Sequence, residues 1–182
     1  MPLPVARHGL AVLVVDTKVA HSHADGGYAA RRASCERGAA ALGAVSLRDV
    51  PDGTDLSGLD EETARRVRHV LSENRRVLET VRRLRAGDVR GIGELLVASH
   101  ASMRDDYEIS CPELDLAVDA ALAAGAAGAR MTGGGFGGSA IALVPVERLA
   151  AVRSALTHAF VLRGWTSPDF IDASPGPGAR VL

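Results

Sequence analysis

The stretch GARMTGGGFGGSAIALVP, residues 128–145, decides the fold. Five of the six positions from 133 to 138 are glycine, and only Phe136 interrupts them. The segments on either side are short and apolar, which predicts two strands joined by the glycine loop. The glycines satisfy G-x-G-x-x-G by register, but a dinucleotide site requires a helix directly after the loop, and here a strand follows. The loop is therefore either a glycine-rich turn or a concavity of backbone amides that holds an anion.

Further strands and helices are predicted on both sides of this loop. Residues 9–16, GLAVLVVD, form a nearly continuous apolar run that predicts a strand covered on both faces. Few strands separated by helices predict an α+β two-layer sandwich, in which a mostly antiparallel sheet packs on helices. The other predicted elements are helices at 28–43, about 60–85, 87–107, 111–125 and 146–164, strands at 128–132 and 139–146, and a short strand after residue 167.

The longest predicted helix, at about 60–85, has one apolar stripe and one charged face. Ser57 or Asp60 can cap its N-terminus, and the short connection at Gly87 predicts an antiparallel partner helix. Arginines dominate the other face, but interspersed glutamates favour a solvated surface over a nucleic-acid surface. The predicted stripe consists of Val67, Val70, Leu71, Asn74, Leu78, Val81 and Leu84.

Composition excludes several classes of protein. The formal net charge is −1, and acidic and basic residues are interspersed, so we expect no nucleic-acid partner. The apolar run near the N-terminus is too short to span a bilayer, so we expect no membrane partner either. Cys35 and Cys111 lie far apart and without companions at metal-binding spacing, which favours reduced thiols in a cytoplasmic protein.

Several polar residues could carry chemistry, but each has a simpler interpretation. His21, His23 and Asp25 form an H-x-H-x-D triplet that could bind a metal, yet in a polar turn such a triplet is usually solvated, and we expect no metal site. His69 and His100 lack an acid or nucleophile at an evident spacing, so packing roles are expected.

The stretch SCPELD, residues 110–115, is typical of the start of a helix. Ser110 is the predicted cap, Pro112 the first-turn residue, and Glu113 lies near the positive end of the helix dipole.

Four stretches together resemble the galactokinases, which belong to the GHMP superfamily of small-molecule kinases. ARMTGGGFGG, residues 129–138, resembles the third signature of that family. Residues 13–36 (LVVDTKVAHSHADGGYAARRASCE), 66–81 (RVRHVLSENRRVLETV) and 102–115 (SMRDDYEISCPELD) agree in order and spacing. Together they extend over most of the chain, so this resemblance is more specific than a glycine loop alone.

The resemblance implies an activity and a fold. Galactokinases transfer the γ-phosphoryl group of ATP to the anomeric hydroxyl of galactose with Mg²⁺, which gives galactose 1-phosphate. Residues 1–182 would then form the C-terminal portion of a GHMP kinase, with a ferredoxin-like sheet. The strand within residues 1–16 would lie next to an N-terminal domain that this sequence does not contain.

Two family signatures have no counterpart in these residues. These are a sugar-binding Gly-Glu-His-Thr-Asp stretch and a Gly-Leu-Ser-Ser-Ser-Ala phosphate loop, which a catalytic aspartate follows. We therefore assign no catalytic residue to this chain, and expect ATP and Mg²⁺ to bind mainly through the absent half. Because phosphoryl transfer depends on positioned charge around the phosphates, the isolated chain is expected to be inactive.

The resemblance also implies particular site residues. Tyr28 occupies the position at which galactokinases place a tyrosine hydroxyl against the sugar, and we interpret it as a residue at the start of a helix. An apolar interdomain surface would be exposed and could drive self-association. The alternative function is a noncatalytic, galactokinase-like module that senses a sugar or nucleotide. The expected nucleotide-site residues are Thr132, Gly133, Gly134, Gly135, Phe136, Gly137 and Gly138.

Overall fold

A four-stranded antiparallel sheet organises the chain in a computed structural model that describes residues 3–20, 24–174 and 176. The strand order is β2-β3-β1-β4, and all three pairings are antiparallel. This order is that of a ferredoxin-like sheet, in which helical connections follow the first and third strands. The predicted α+β sandwich is confirmed. The strands are β1 (Leu10–Asp16), β2 (Gly128–Thr132), β3 (Ser139–Pro145) and β4 (Asp169–Ala173).

Five α-helices connect and cover these strands, in the order that the sequence predicts. The cap of α2 is Asp60 rather than Ser57, because its carboxylate accepts a hydrogen bond of 2.9 Å from the Thr63 amide. Short 3₁₀ turns lie at Val5–His8, Leu47–Asp49 and Val146–Arg148. The helices are α1 (Ala24–Ala41), α2 (Glu61–Arg85), α3 (Ile92–Asp105), α4 (Pro112–Ala123) and α5 (Leu149–Leu162).

The start of α1 differs from the prediction. The helix begins at Ala24, not at Tyr28, so Tyr28 lies in its second turn and the two glycines before it are helical. Glycine disfavours a helix interior, which is why this segment reads as a turn in the sequence. A tertiary contact outweighs that preference, because the ring of Phe136 packs against Gly27, where any side chain would collide with it.

The two faces of the sheet are unequally covered. Leu13 and Val15 of β1 lie on the face that packs against α4 and α5, in the main buried cluster. Val12 and Val14 point to the other face and are only half-buried. The expectation that β1 is covered on both faces is therefore correct only in part. Leu10 and Val12 pack in a second cluster with Ile92 of α3, whereas Val14 belongs to none of the buried clusters of described residues.

A cross-strand row on the second face is largely apolar, and α3 covers its end at Arg130, which donates to the Ser99 hydroxyl at 2.9 Å. Register places Arg130, Ile141, Val14 and Ile171 side by side across all four strands. None of them is fully buried, and Ile171 is 58% exposed. We call this set the open row.

Helices α2 and α3 form the predicted antiparallel hairpin. Arg83 at the end of α2 bonds to Gly91 just before α3, and His69 near its start bonds to Ser102 near the end of α3. The predicted stripe is correct except at Leu78, since Val81 is half-buried and Leu84 packs against the cluster that contains Ile92 of α3. Val67 and Leu71 are buried in a cluster with α1, whereas Leu78 is 71% exposed because α2 extends beyond α1.

One arginine on α2 also contradicts the predicted solvated face. Arg66 is only 2% exposed, although it belongs to the arginine-rich series. Its guanidinium has partners that lie far away in sequence, at residues 106 and 108. Sequence periodicity could not reveal them.

The start of α4 requires a second correction. Cys111 is the N-cap residue and makes no side-chain cap, whereas the hydroxyl of Ser110 donates to the Asp115 carboxylate at 2.5 Å. Ser110 is therefore not the cap. Pro112 occupies the first turn as expected, and Glu113 lies beside it.

The H-x-H-x-D triplet lies outside what the structure describes, since residues 21–23 and the side chain of Asp25 are not described. Within residues 3–20, 24–174 and 176, no cluster of three His, Cys, Asp or Glu side chains is arranged for a metal ion. In the same part of the chain, no helix is both long and apolar enough to cross a membrane.

Candidate functional site

The glycine loop between β2 and β3 is fixed by backbone hydrogen bonds to two other segments. The Phe136 amide donates to the Ile109 carbonyl at 2.7 Å, and the Gly138 amide donates to the Val19 carbonyl at 3.0 Å. Thr17 binds the Gly138 carbonyl twice, through its amide at 3.1 Å and through its buried hydroxyl at 2.6 Å. The loop is thus held in one position by the end of β1 and by the segment before α4.

The backbone of this loop requires glycine at most of its positions. Left-handed φ angles occur at Gly133, Gly135, Gly137 and Gly138, with values from +82° to +134°. Phe136 also has a positive φ of +62°, which a bulky residue adopts only when its surroundings enforce it. The number of glycines therefore follows from the path of the loop, which one ordinary two-residue turn would not need.

The loop is better suited to line one side of a site than to hold a phosphate group by itself. The amides of Phe136 and Gly138 already donate to protein carbonyls, so they are not available to an anion. The tip at Gly133 and Gly134 is exposed, and added Cβ atoms there would meet nothing within 4 Å. Of the two interpretations of the loop, a bare anion cradle has the weaker support.

Tyr28 and the glycine loop lie at the same end of the molecule. A Cβ atom at Gly27 would lie 2.7 Å from Cζ of Phe136, so the ring rests directly on the first turns of α1. Tyr28 follows Gly27 and is 63% exposed, which leaves its phenol accessible. Two predicted site features, one at residue 28 and the other at residues 132–138, are therefore neighbours in space.

Arg31, which the sequence does not single out, connects these features to the segment before α4. Its Nε donates to the Tyr107 carbonyl at 2.6 Å, and its Nη2 donates to the Glu108 carbonyl at 2.9 Å. The guanidinium carbon also lies 5.9 Å from the centre of the Phe136 ring, within range of a cation–π contact. Its one signal in the sequence is a position one helical turn after Tyr28.

A buried polar chain supports the other side of the loop. His100 Nε2 lies 3.1 Å from Asp115 Oδ1, and His100 Nδ1 accepts from the Met131 amide at 3.2 Å. Burial raises the pKa of Asp115, but hydrogen bonds from His100 and Ser110 outweigh it, and the pKa is below its ordinary value. These hydrogen-bonded side chains anchor β2 at the point where it enters the glycine loop.

His69 has the packing role that the sequence predicts. Its ring stacks on Tyr107 with centroids 4.3 Å apart, and Nδ1 lies 3.0 Å from the Ser102 hydroxyl. Burial lowers the pKa of His69 to about 4, so the ring is neutral at pH 7. The phenol of Tyr107 lies 3.7 Å from the Cys35 sulfur, and burial raises the pKa of that phenol.

Comparison with known proteins identifies the class of this fold. Residues 80–162 match the family described as GHMP kinases C terminal. The chain therefore contains the C-terminal domain of a GHMP kinase, as the sequence predicts. A mevalonate kinase from Leishmania major shares the fold at a TM-score of 0.54 and 23% identity, over 82% of this chain and 38% of that one.

Within this class, the chain is similar to galactokinases along its whole length. It is 53% identical to the galactokinase of Streptomyces coelicolor over 100% of this chain and 48% of that protein. The Mycobacterium tuberculosis galactokinase is 48% identical over 92% of this chain and 47% of that protein. The galactokinase of Lactococcus lactis was solved in complex with galactose. It superposes with a TM-score of 0.83 at 35% identity, over 96% of this chain and 47% of that one. The chain spans about half the length of these relatives and corresponds to the C-terminal portion of a galactokinase.

Proposed function

We propose that this chain forms one wall of a galactokinase active site, in which ATP phosphorylates galactose to galactose 1-phosphate. Tyr28 is the sugar-contacting residue in this proposal, and residues 132–138 line the nucleotide side. The remaining groups come from polypeptide that corresponds to the other half of the relatives. No residue of this chain acts as the catalytic base.

The observation that carries the proposal is the contact between Phe136 and Gly27. Because Tyr28 directly follows Gly27, this contact supports a position for Tyr28 near the glycine loop, although more than 100 positions separate them in the sequence. A phenol can donate to or accept from a sugar hydroxyl while its ring stays packed. The Lactococcus relative, whose structure contains galactose, supports this assignment of the ligand.

The residues of this chain fit ATP only in part. The exposed tip at Gly133 and Gly134 leaves room for a nucleotide to approach, but the loop has no helix behind it to stabilise phosphates. The described residues contain no carboxylate cluster for Mg²⁺. We therefore assign this chain a wall of the ATP site. Because the phosphate-loop signature has no counterpart here, we infer that Mg²⁺ is held mainly by the other half and that the 182 residues alone do not catalyse phosphoryl transfer.

Complementation tests this function. The chain is co-expressed with the half of the Streptomyces coelicolor galactokinase that lies outside the match, and galactose-dependent ADP formation is measured with ATP and Mg²⁺. We expect turnover from the pair and none from either part alone. In the complemented enzyme, Tyr28→Phe should lower kcat/KM for galactose by about tenfold to a hundredfold, because one hydrogen bond to the substrate is lost. The KM for ATP should change little.

The control is Tyr107→Phe, which removes a phenol that is near the site but faces Cys35. It should leave kcat/KM nearly unchanged. Turnover by the isolated chain would contradict the proposed inactivity. A pair that associates but stays inactive would contradict the proposal that this chain forms one wall of the active site. Binding of galactose by the isolated chain, without turnover in any combination, would instead support a sensing module.

A further inference from the structure

The segment at residues 106–109, between α3 and α4, is held by arginines from two helices. Arg66 of α2 donates through Nη1 to the Asp106 carbonyl and through Nη2 to Glu108 Oε2, the latter at 2.6 Å. Arg31 of α1 binds the next two carbonyls, those of Tyr107 and Glu108. Three successive backbone carbonyls therefore accept from guanidinium groups.

Glu108 is the centre of this arrangement. Its φ is +53°, a left-handed conformation that is unfavourable for glutamate unless its surroundings enforce it. Arg65, Arg66 and Arg31 lie 2.9, 2.6 and 3.7 Å from its carboxylate oxygens. The pKa of Glu108 lies below its ordinary value, chiefly because Arg66 donates a hydrogen bond to it. The carboxylate is thus ionised at pH 7, and it ties residue 108 to Arg65 and Arg66 of α2.

Among these arginines, Arg66 is the one that burial distinguishes. It is 2% exposed, whereas the side chain of Arg65 is 30% exposed and also pairs with Glu61. A buried guanidinium is costly unless it is well paired, and here both groups that accept hydrogen bonds from it lie in the segment at 106–109. Stability alone does not require a charge there, because an apolar side chain of similar volume often serves as well.

The held segment connects directly to the glycine loop. The residue after Glu108 is Ile109, whose carbonyl accepts the Phe136 amide at 2.7 Å. A Cβ atom at Gly135 would lie only 2.6 Å from that same carbonyl oxygen, so the two backbones are in close contact. Phe136 in turn rests on Gly27, beside Tyr28. A chain of contacts therefore leads from Arg66 to both proposed site features.

We propose that Arg66 is a positioning residue, which sets the position of the glycine loop and of the start of α1 through Glu108 and the Ile109 carbonyl. This inference rests on the function proposed above, because that function makes the loop position matter. Arg66 does not touch the site itself, and it is not a catalytic residue. Its effect is local. When its bond to Glu108 is lost, the Ile109 carbonyl shifts away, and the Phe136 amide loses its hydrogen-bond acceptor.

Amide hydrogen exchange of the ¹⁵N-labelled full chain tests this inference without sugar or nucleotide. The variants are Arg66→Lys, which keeps the charge but cannot span both partners, and Glu108→Gln, which keeps the shape but removes the charge. In each, we expect exchange of the Phe136 amide to accelerate by about tenfold or more, while the amides of β1 change by less than about twofold. The amide resonance of Gly27 should shift together with that of Phe136.

The matched control is Arg68→Lys, on the same helix, where Arg68 binds the Asp106 carboxylate at 3.1 Å but does not contact Glu108. It should leave Phe136 exchange unchanged. Equal acceleration at Phe136 and in β1 would overturn the inference, because it would show a general loss of stability, and so would an unchanged Phe136. If Arg66→Lys does not fold, Glu108→Gln decides, and failure of both to fold also overturns it. Because no ligand is present, the result is independent of the complementation assay.

Discussion

The ring of Phe136 lies directly against the backbone of Gly27, and a methyl group at Gly27 would stand 2.7 Å from Cζ of that ring. Phe136 belongs to the loop between β2 and β3, whereas Gly27 belongs to the first turns of α1. The contact couples two elements that the proposed function requires to be adjacent. Substitutions on either side of this contact should therefore show how much it contributes to the stability of the fold.

The first prediction compares Gly27→Ala with Gly26→Ala in α1. At Gly26 an added Cβ meets nothing within 4 Å, so alanine should stabilise the chain by about 0.5–1 kcal/mol through helix propensity. At Gly27 the same gain is offset by displacement of the Phe136 ring. We expect Gly27→Ala to be less stable than Gly26→Ala by about 1–2 kcal/mol in urea denaturation. Equal stability of the two variants would contradict the contact.

The second prediction concerns two glycines within the loop. Gly135 has a φ of +89°, and a Cβ there would lie 2.6 Å from a backbone oxygen that cannot move away easily. Gly135→Ala should therefore destabilise the chain by about 2 kcal/mol or more. Gly134→Ala, with open space around it, should stay within about 0.5 kcal/mol of the parent. Thermal unfolding measures both, and similar losses for the two would refute the described loop path.

The order of elements could be predicted from the sequence because each strand and helix carries a local signal. Strands β2 and β3 lie on either side of a glycine cluster, and α2 begins at a capping aspartate and ends just before a glycine. Such signals depend on neighbours within a few residues. The α+β class and the strand pair around the loop follow from them directly.

What could not be predicted depends on contacts between distant residues. The early start of α1 depends on Phe136, and the burial of Arg66 depends on partners at 106 and 108. Neither has a local signal, since two glycines favour a turn and one arginine among many indicates a solvated face. For the site, Tyr28 and the loop were identified by resemblance, whereas Arg31 needed the structure.

The third prediction is a loss of stability between pH 7 and pH 5 through His69. The pKa of His69 is about 4 in the folded chain, below its ordinary value of 6.5, because burial disfavours the charged ring. A depressed folded pKa gives stability that is present above pH 6.5 and is lost as the pH falls towards 4. We expect a loss of about 2 kcal/mol on going from pH 7 to pH 5.

His69→Phe tests this origin, because phenylalanine can keep the stack on Tyr107 but cannot be protonated. The free energy of unfolding is measured by urea denaturation at each pH. Between pH 7 and pH 5 it should fall by about 2 kcal/mol less in this variant than in the parent. His158→Asn, at an exposed position on α5, serves as the control and should keep the pH dependence of the parent. An unchanged slope in His69→Phe would assign the effect to other groups.

The fourth prediction is self-association through the open row. Val14, Ile141 and Ile171 are apolar, lie side by side, and belong to no buried cluster among the described residues. Partly exposed β-branched residues on a sheet face favour association, because pairing removes the rest of their surface from water. We therefore expect the isolated chain to form dimers or larger species at micromolar concentration in sedimentation velocity.

Ile171→Lys places a charge in the open row and should weaken this association by about tenfold or more, since a desolvated, unpaired charge is costly. Ile171 is on the edge strand β4 and already 58% exposed, so the fold should tolerate the change. Val45→Lys is the matched control, because Val45 is fully exposed but lies outside the sheet. If both variants weaken association equally, a general charge effect is responsible. A parent chain that stays monomeric at every concentration would show that the open row does not bind a second copy.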